Sequence, residues 1–407
     1  MNRPPAAARD VAWLALERVA SGRADRLNDV IDVSQLDPRD AALARELAHG
    51  VVRHHRLYEF LARAYLKPGR QSVDLLRALA LGAHQLFALD QIPPHAACAT
   101  SVELLHNHGL KALTGVANAV MRRFAEMRSF QRSEAGPLGR ISSDRWPTDP
   151  AILASLPDAL VADLRLEPGE RRERLLDLNR VAPLCTRTRP GCTPLVGHGI
   201  VRQDGEWTWW DDPQAALNGP VADNRCVVQD RAQGYVLATS GARPGDLVLD
   251  LCAAPGGKAL AFADRGCQVI AADINPRRLP RMRANLKGQA AMLVQDGLRP
   301  AMVAGACDIV LIDAPCSNSG VLARRPEARW RYRPDLLTQL ATLQRKLLRS
   351  AAELVRPDGK LIYSTCSVTP EENQGIAHQL AGWRVLSEHR TWPDAWQGGG
   401  YVAVLVR

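Results

Sequence analysis

Helical periodicity dominates the first third of the chain. Apolar residues recur at spacings of three and four, which indicates amphipathic helices. The segments with this pattern are residues 11–19, 41–52, 75–89, 97–105 and 113–124. Proline and glycine breaks separate them, and strand-like alternation does not occur. The pattern therefore predicts an all-helical domain over residues 1–127.

The middle of the chain is less regular. Residues 128–150 are polar, contain glycine and proline, and lack periodicity, which is typical of a linker. Residues 151–220 combine helical patches with a turn-rich stretch that carries short strand signals. We expect a small mixed α+β subdomain there.

From residue 221 to residue 407, strand-like segments alternate with amphipathic ones. Candidate strands cover residues 247–252, 268–273, 292–296, 308–313, 360–365, 383–388 and 401–406. A long amphipathic segment covers residues 334–355. This alternation predicts an α/β domain, with a parallel sheet covered by helices on both faces. Ligands of such sheets bind outside the carboxyl ends of the strands.

Composition is that of a soluble globular protein. The 407 residues are 46% hydrophobic and 23% charged, which suits two or three domains. The formal net charge of +9 favours a polyanionic partner. The N-terminal segment does not resemble a signal peptide, and no apolar run approaches the roughly 18 residues of a membrane span. We expect a cytoplasmic protein that does not bind membranes, and the sequence indicates no obligate protein partner.

The nine cysteines include no CxxC pair. Neither a disulfide framework nor a zinc site is therefore indicated, and no metal is predicted.

A glycine-rich turn follows the first strand of the α/β region. Its sequence, DLCAAPGGK from Asp250 to Lys258, opens a helix, and such turns let backbone N–H groups approach a nucleotide-like ligand. The candidate ligand-binding residues are Cys252, Ala253, Ala254, Pro255, Gly256, Gly257 and Lys258. The turn is not GxGxxG, which argues against a dinucleotide and against a nicotinamide-dependent oxidoreductase.

An acidic residue ends each of the next three strands. These residues are Asp273, Asp296 and Asp313. The first can bind ribose hydroxyls, and carboxylates suit a cationic sulfonium better than a phosphate. A helix cap is an equally good explanation of Asp296 alone, but not of three acids in register with a glycine loop.

Two cysteines lie just past predicted strands. Cys316 stands in DAPCS and Cys366 in STCSV, at the sheet edge where the glycine loop also ends. A cysteine is more often a small buried hydrophobe, and that explanation suffices for the thiols of Cys98, Cys252, Cys267 and Cys307. The shared edge makes Cys316 and Cys366 candidates for chemistry.

These motifs carry a family resemblance. DLCAAPGGK, DAPCS and STCSVTPEEN resemble motifs of the RNA cytosine-C5 methyltransferases, and the helical half is similar to the NusB-like RNA-binding domain of the RsmB/Sun (Fmu) family. The resemblance covers most of the chain. It implies a Rossmann-like domain that uses S-adenosyl-L-methionine to methylate C5 of a cytosine in 16S ribosomal RNA.

The resemblance also implies residue roles. Cys366 would attack C6 of the cytosine, because a covalent thiolate adduct makes C5 nucleophilic enough to take a methyl group. Cys316 would assist proton loss and enzyme release, and Asp313 would contact the N3/N4 edge. Lys258 is either an assisting or a structural residue.

An arginine-rich run directly follows the Cys316 loop. Aromatic and guanidinium planes stack on unpaired bases, so the run is a candidate RNA contact. Its proposed RNA-binding residues are Arg324, Arg325, Arg329, Trp330 and Arg331. Two further basic runs cover residues 51–70 and 277–287. The first is equally well explained by RNA binding or by a solvated surface, and the second is better explained by a solvated surface.

Two alternative functions remain. A tRNA cytosine-C5 methyltransferase would share the catalytic motifs. A non-catalytic RNA-binding or antitermination factor would need neither the cysteine pair nor the glycine loop.

Overall fold

The computed structural model describes residues 8–128, 146–193 and 195–407. The predicted linker, residues 128–150, falls mostly on residues 129–145, which lie outside this range.

The described helices are α1 (Ala8–Ala20), α2 (Pro38–Arg53), α3 (His55–Arg63), α4 (Val73–Ala88), α5 (Pro94–Asn107), α6 (Thr114–Arg128), α7 (Pro150–Leu153), α8 (Asp158–Asp163), α9 (Arg171–Asp177), α10 (Pro213–Ala216), α11 (Arg231–Ser240), α12 (Gly257–Asp264), α13 (Leu279–Leu286), α14 (Ala328–Arg331), α15 (Leu336–Ala352) and α16 (Gln374–Ala377). The strands are β1 (Leu184–Thr188), β2 (Ile200–Asp204), β3 (Trp207–Trp210), β4 (Cys226–Val228), β5 (Leu247–Asp250), β6 (Gln268–Asp273), β7 (Ala291–Val294), β8 (Cys307–Asp313), β9 (Val355–Thr365), β10 (Arg384–Thr391) and β11 (Gly400–Val406).

Contacts divide the chain into two compact units. The first contains the described residues up to Val161, with Leu166–Asn179 and Arg325–Arg331. The second contains Ala162–Arg165, Arg180–Arg324 and Tyr332–Arg407. Among the described residues, no helix is both long and apolar enough to cross a membrane.

The first unit is helical, as the periodicity predicts. The Asp37 and Ser72 side chains accept hydrogen bonds from the first-turn amides of α2 and α4, which fixes where these helices begin. The apolar faces of α1 to α6 form one core. Its fully buried members include Leu16, Leu47, Leu57, Leu79 and Phe124. The helix α3 lies within the first basic run and contributes Leu57, Tyr58 and Leu61 to this core.

A four-stranded antiparallel sheet lies in the second unit, with strand order β2-β3-β1-β4. All four residues of β3 are buried, and three of them are tryptophans. The strands β1 to β3 fall within the predicted mixed range, residues 151–220, whereas β4 lies beyond it and Leu166–Asn179 belongs to the first unit.

The second sheet has seven strands in the order β10-β11-β9-β8-β5-β6-β7. The five strands from β9 to β7 are parallel to one another, which confirms the predicted α/β fold. The strand β11 runs antiparallel to both β9 and β10, so the sheet is mixed and not purely parallel. Residues 392–399 join β10 to β11 without a crossover helix, and such a connection suits antiparallel neighbours.

Alternating residues of the central strands face two different cores. Val248 and Ile309 pack with α11, α12 and α13. Leu249 and Val310 pack with α15 and α16 on the opposite face. This period of two produces a three-layer domain whose central strands are buried on both faces.

Within the second unit, a buried ion pair connects the four-stranded sheet to α12, which packs on the seven-stranded sheet. The Asp264 carboxylate at the end of α12 accepts from Arg187 at 2.7 Å and from Arg189 at 2.6 Å. The Asp264 and Arg187 side chains are only 3% and 2% exposed. Each charge is therefore desolvated and depends on its partner.

We predict that Asp264→Asn destabilises the chain by about 3–5 kcal/mol, because it removes the buried countercharge of two arginines and leaves Arg187 only the half-exposed Glu206 at 4.0 Å. Urea denaturation of both proteins would measure the free energy of unfolding. Asp335→Asn is the matched control, because its partner Arg333 and Asp335 itself are more than half exposed and exposed pairs contribute little. Equal stability of the two variants would contradict the prediction.

Candidate functional site

Three loops meet at one edge of the seven-stranded sheet. The glycine loop (251–256) follows β5, the Cys316 loop (314–318) follows β8, and the Cys366 loop (366–369) follows β9. These strands are adjacent and parallel, with Asp250 beside Leu311 and Asp313 beside Ser364. The carboxyl ends of parallel neighbours lie on the same edge. The glycine loop, the Cys316 loop and the Cys366 loop are therefore brought together by sheet order.

The glycine loop is shaped by a left-handed residue and by close packing. Gly256 has φ of +100°, which favours glycine, and it precedes the first turn of α12. A Cβ built on Gly256 would lie 3.2 Å from the side chains of Met282 and Leu286. A Cβ built on Gly257 would meet no atom within 4 Å. The loop is thus packed on one side by α13 and has open space at the start of α12.

Carboxylates surround this loop. Asp273 accepts from the Ala254 amide at 3.2 Å and from the Asn275 amide at 2.9 Å. Asp250 is fully buried, and its Oδ2 has no hydrogen-bond partner among the described residues. Burial raises the pKa of Asp250 to about 8, and the charge of Asp313 adds to the shift. Asp296 accepts from the Leu298 amide at 2.9 Å, a local turn contact.

Lys258 and Asp313 form an ion pair between the glycine loop and the Cys316 loop. The Lys258 Nζ lies 2.6 Å from Asp313 Oδ2 and also donates to the Gln233 amide oxygen. The lysine is buried, whereas the Asp313 side chain is 34% exposed. The buried Lys258 ammonium thus orients the Asp313 carboxylate, which remains accessible to a ligand.

The two candidate cysteines face each other. Cys316 Sγ and Cys366 Sγ are 3.3 Å apart, and both residues are partly exposed free thiols. Asn318, in a left-handed conformation, accepts from Cys366 Sγ at 3.4 Å through its side-chain oxygen. Its amide group donates to the Cys316 carbonyl at 2.8 Å. The loop that follows Cys316 therefore holds both thiols.

The two thiols are not equivalent. The hydrogen bond from Cys316 to Cys366 raises the pKa of Cys316 well above its usual value, and burial and nearby negative charge, including Glu372, act in the same direction. Cys316 is therefore the thiol that holds its proton more strongly, and it lies within reach to donate to Cys366 Sγ.

Sequence reasoning missed Glu372, which joins the two cysteine loops. Its carboxylate is fully buried and accepts five hydrogen bonds, all from neutral groups, at 2.5–3.1 Å. The donors are the Ser317 amide and hydroxyl, the Ser367 and Thr369 hydroxyls and the Gln344 amide. Ser317 and Ser367 each follow a cysteine directly. The TPEEN segment held no signal for this role, because a glutamate is normally exposed.

The arginine run after the Cys316 loop has mostly protein partners. Arg329 is buried and donates to the Arg53 carbonyl and to Asn179 Oδ1, so its guanidinium is not presented to solvent. Trp330 packs on the helical core and lies edge-on to His55.

The other arginines of this run lie nearer the surface. Arg324 is exposed but pairs with Asp230 at 2.6 Å. Arg325 is partly buried, and the exposed Arg331 lies 3.8 Å from Asp25.

Two family models match the chain. Residues 237–393 match the family described as 16S rRNA methyltransferase RsmB/F, and residues 6–126 match the NusB family. A curated relative from Synechocystis, a probable ribosomal RNA small subunit methyltransferase B, is 31% identical over 95% of this chain and 90% of that protein.

Solved structures share the fold. The crystal structure of PH0851 matches with a TM-score of 0.75 and 18% identity, covering 100% of both chains. The structure of NSun6 from Pyrococcus horikoshii with SFG matches with a TM-score of 0.52 and 16% identity, covering 61% of this chain and 98% of that one. At these identities the likeness concerns the fold.

We predict that Glu372→Gln lowers the free energy of unfolding by about 1–3 kcal/mol. The amide replaces one acceptor oxygen with an N–H donor, which leaves buried hydroxyls facing a donor. Denaturant unfolding would measure the change. Glu353→Gln makes the same substitution at an exposed position and should change little; a similar loss in both variants would show that the buried hydrogen bonds are not its cause.

Proposed function

Because the chain belongs to the 16S rRNA methyltransferase RsmB/F family, which depends on S-adenosyl-L-methionine, we propose that it methylates C5 of a cytosine in 16S ribosomal RNA through a covalent adduct with Cys366. The observation that carries this proposal is the 3.3 Å approach of Cys316 and Cys366 beside the Lys258–Asp313 pair. A nucleophile, a proton-transfer group and a base-orienting carboxylate lie there at one sheet edge.

The glycine loop fits S-adenosylmethionine, which supplies an electrophilic methyl group on a cationic sulfur. The carboxylates of Asp273 and Asp313 suit a positively charged ligand, and the buried Oδ2 of Asp250, which has no hydrogen-bond partner among the described residues, leaves a polar atom beside the loop for the ligand to contact. The open space at Gly257 lets the donor approach the backbone at the start of α12. We expect Cys252 to Lys258, Asp273 and Asp296 to line this site.

Cys366 acts as the nucleophile in the proposed reaction. Its thiolate forms a bond to C6 of the cytosine, and the ring electrons move to C5. C5 takes the methyl group, and the electrons of the broken carbon–sulfur bond stay with the donor, which leaves as S-adenosylhomocysteine. The hydrogen bond from Cys316 supports a thiolate at this position. At the N3/N4 edge of the ring, Asp313, held by Lys258, accepts from the N4 amino group and orients the base, and the Lys258 ammonium offsets part of the negative charge that addition at C6 moves towards N3.

Cys316 acts after methyl transfer. The adduct carries both a proton and a methyl group at C5, and removal of that proton lets the C6–sulfur bond break. Cys316 lies beside Cys366, and bonding of Cys366 to C6 removes the hydrogen bond that contributes most to the raised pKa of Cys316. Cys316 then gives its own proton to solvent and accepts the proton from C5. The Cys366 sulfur then leaves with the bonding electrons, and the aromatic ring is restored.

We predict that Cys366→Ala abolishes detectable methyl transfer to 16S rRNA while the chain still binds S-adenosylmethionine. Transfer of a radiolabelled methyl group and bisulfite sequencing of the RNA would measure the first, and calorimetry the second. Cys192→Ala is the control, because Cys192 is also a partly exposed free cysteine and has no proposed role. Full turnover by the Cys366 variant would refute the nucleophile assignment.

We predict that Cys316→Ala accumulates a covalent protein–RNA adduct, because the C5 proton is no longer removed efficiently. Denaturing electrophoresis with labelled RNA would show a retarded species that depends on S-adenosylmethionine. The double variant with Cys366→Ala should lose this species. If the single variant forms no adduct, Cys316 does not act in release.

A further inference from the structure

The segment from Ile274 to Ala290 has the highest uncompensated charge of the three basic runs. It carries five cationic residues and no acidic residue. We call Arg277, Arg278, Arg281, Arg283 and Lys287 the α13 cationic face. Arg277 and Arg278 lie in the turn before α13, Arg281 and Arg283 lie within it, and Lys287 follows its last residue. Like charges this close to one another repel.

These side chains are exposed and have few protein partners. Arg277, Arg281 and Arg283 form no side-chain hydrogen bond or ion pair within the described part of the chain. Arg278 lies 3.8 Å from Asp273, and Lys287 donates to the Asn224 amide oxygen. Three guanidinium groups are therefore available to a ligand, in contrast to the largely paired or buried run that follows Cys316.

The helix that carries this face is anchored against the glycine loop. Met282 and Leu286 are fully buried and pack 3.2 Å from the Cβ position of Gly256. Asn285 donates to the Pro255 carbonyl at 2.7 Å. The cations are thus held at a fixed place beside the loop, which lowers the entropy lost when a ligand binds.

The methyl donor does not explain these cations. S-adenosylmethionine has no phosphate, and its one carboxylate is outweighed by an ammonium and a cationic sulfur, so a single anionic group does not account for a cluster of cations. The other reactant is a polyanion, and arginine forks match phosphate oxygens in pairs. Resting on the proposed function, we infer that the α13 cationic face holds phosphates of the rRNA strand that presents the target cytosine.

The test compares two double variants of the full chain. Arg277→Gln with Arg281→Gln removes two charges from the α13 cationic face. Lys346→Gln with Arg349→Gln removes two exposed charges from α15 and is the matched control. Anisotropy measures binding of a labelled 16S rRNA transcript at several salt concentrations, and methylation of that transcript is followed in parallel.

We predict that the α13 variant binds the transcript more weakly and that its plot of log K against log salt becomes shallower by about 1.5. Each lost phosphate contact lowers the slope by about 0.7–0.9. The KM for RNA should rise, and the unfolding transition should remain because repulsion is relieved. The α15 control should keep the wild-type slope.

Different failures have different meanings. If the wild type methylates the transcript and the α13 variant keeps its slope and affinity, the inference about α13 is wrong and the proposed function stands. An equal effect in the α15 control also overturns the inference, because net charge alone then explains the loss. If the wild type binds but methylates no cytosine, the proposed function fails and the inference fails with it.

Discussion

The parallel order of β5, β8 and β9 is the constraint on which the site depends. Each strand contributes one loop at its carboxyl end. No single loop carries all of the residues proposed for the reaction. Hydrogen bonding of β8 between β5 and β9 brings residues far apart in sequence within contact, as the 3.3 Å approach of Cys316 and Cys366 shows. Because the strands are buried on both faces, this arrangement is held by the two cores that pack against the sheet.

Glu372 holds the two cysteine loops together, because its carboxylate accepts hydrogen bonds from Ser317 on one loop and from Ser367 on the other. A carboxylate buried without a cation is costly unless donors satisfy it, and here backbone, hydroxyl and amide groups supply five hydrogen bonds. The same negative charge contributes to the raised pKa of Cys316. One residue therefore supports both the spacing of the thiols and the difference between them, which the proposed division into nucleophile and proton-transfer group requires.

The number of arginines in a segment does not tell how many guanidinium groups are available to a ligand, as two arginine-rich runs of this chain show. The run after Cys316 and the run on α13 have similar compositions. In the first, Arg324 pairs with Asp230 and Arg329 is buried against backbone and amide oxygens. In the second, the guanidinium groups project from a helix whose apolar residues are its only buried ones. Partner geometry, and not the count of arginines, distinguishes a structural run from a candidate phosphate-binding surface.

The sequence alone determined the architecture, because periodicities of 3.6 and 2 are local properties of neighbouring residues. The helical half, the α/β half, the strand β6 to the residue and the glycine loop with its three acids all follow from such patterns. Pairings between distant residues follow only from the tertiary structure. The antiparallel insertion of β11, the ion pair of Lys258 with Asp313, the burial of Arg329 and the hydrogen bonds to Glu372 each depend on segments that folding brings together. Ser367 and Thr369 are close to Glu372 in the sequence, but its donors Ser317 and Gln344 are not, and neither are the partners in the other features. These pairings therefore follow only from the fold.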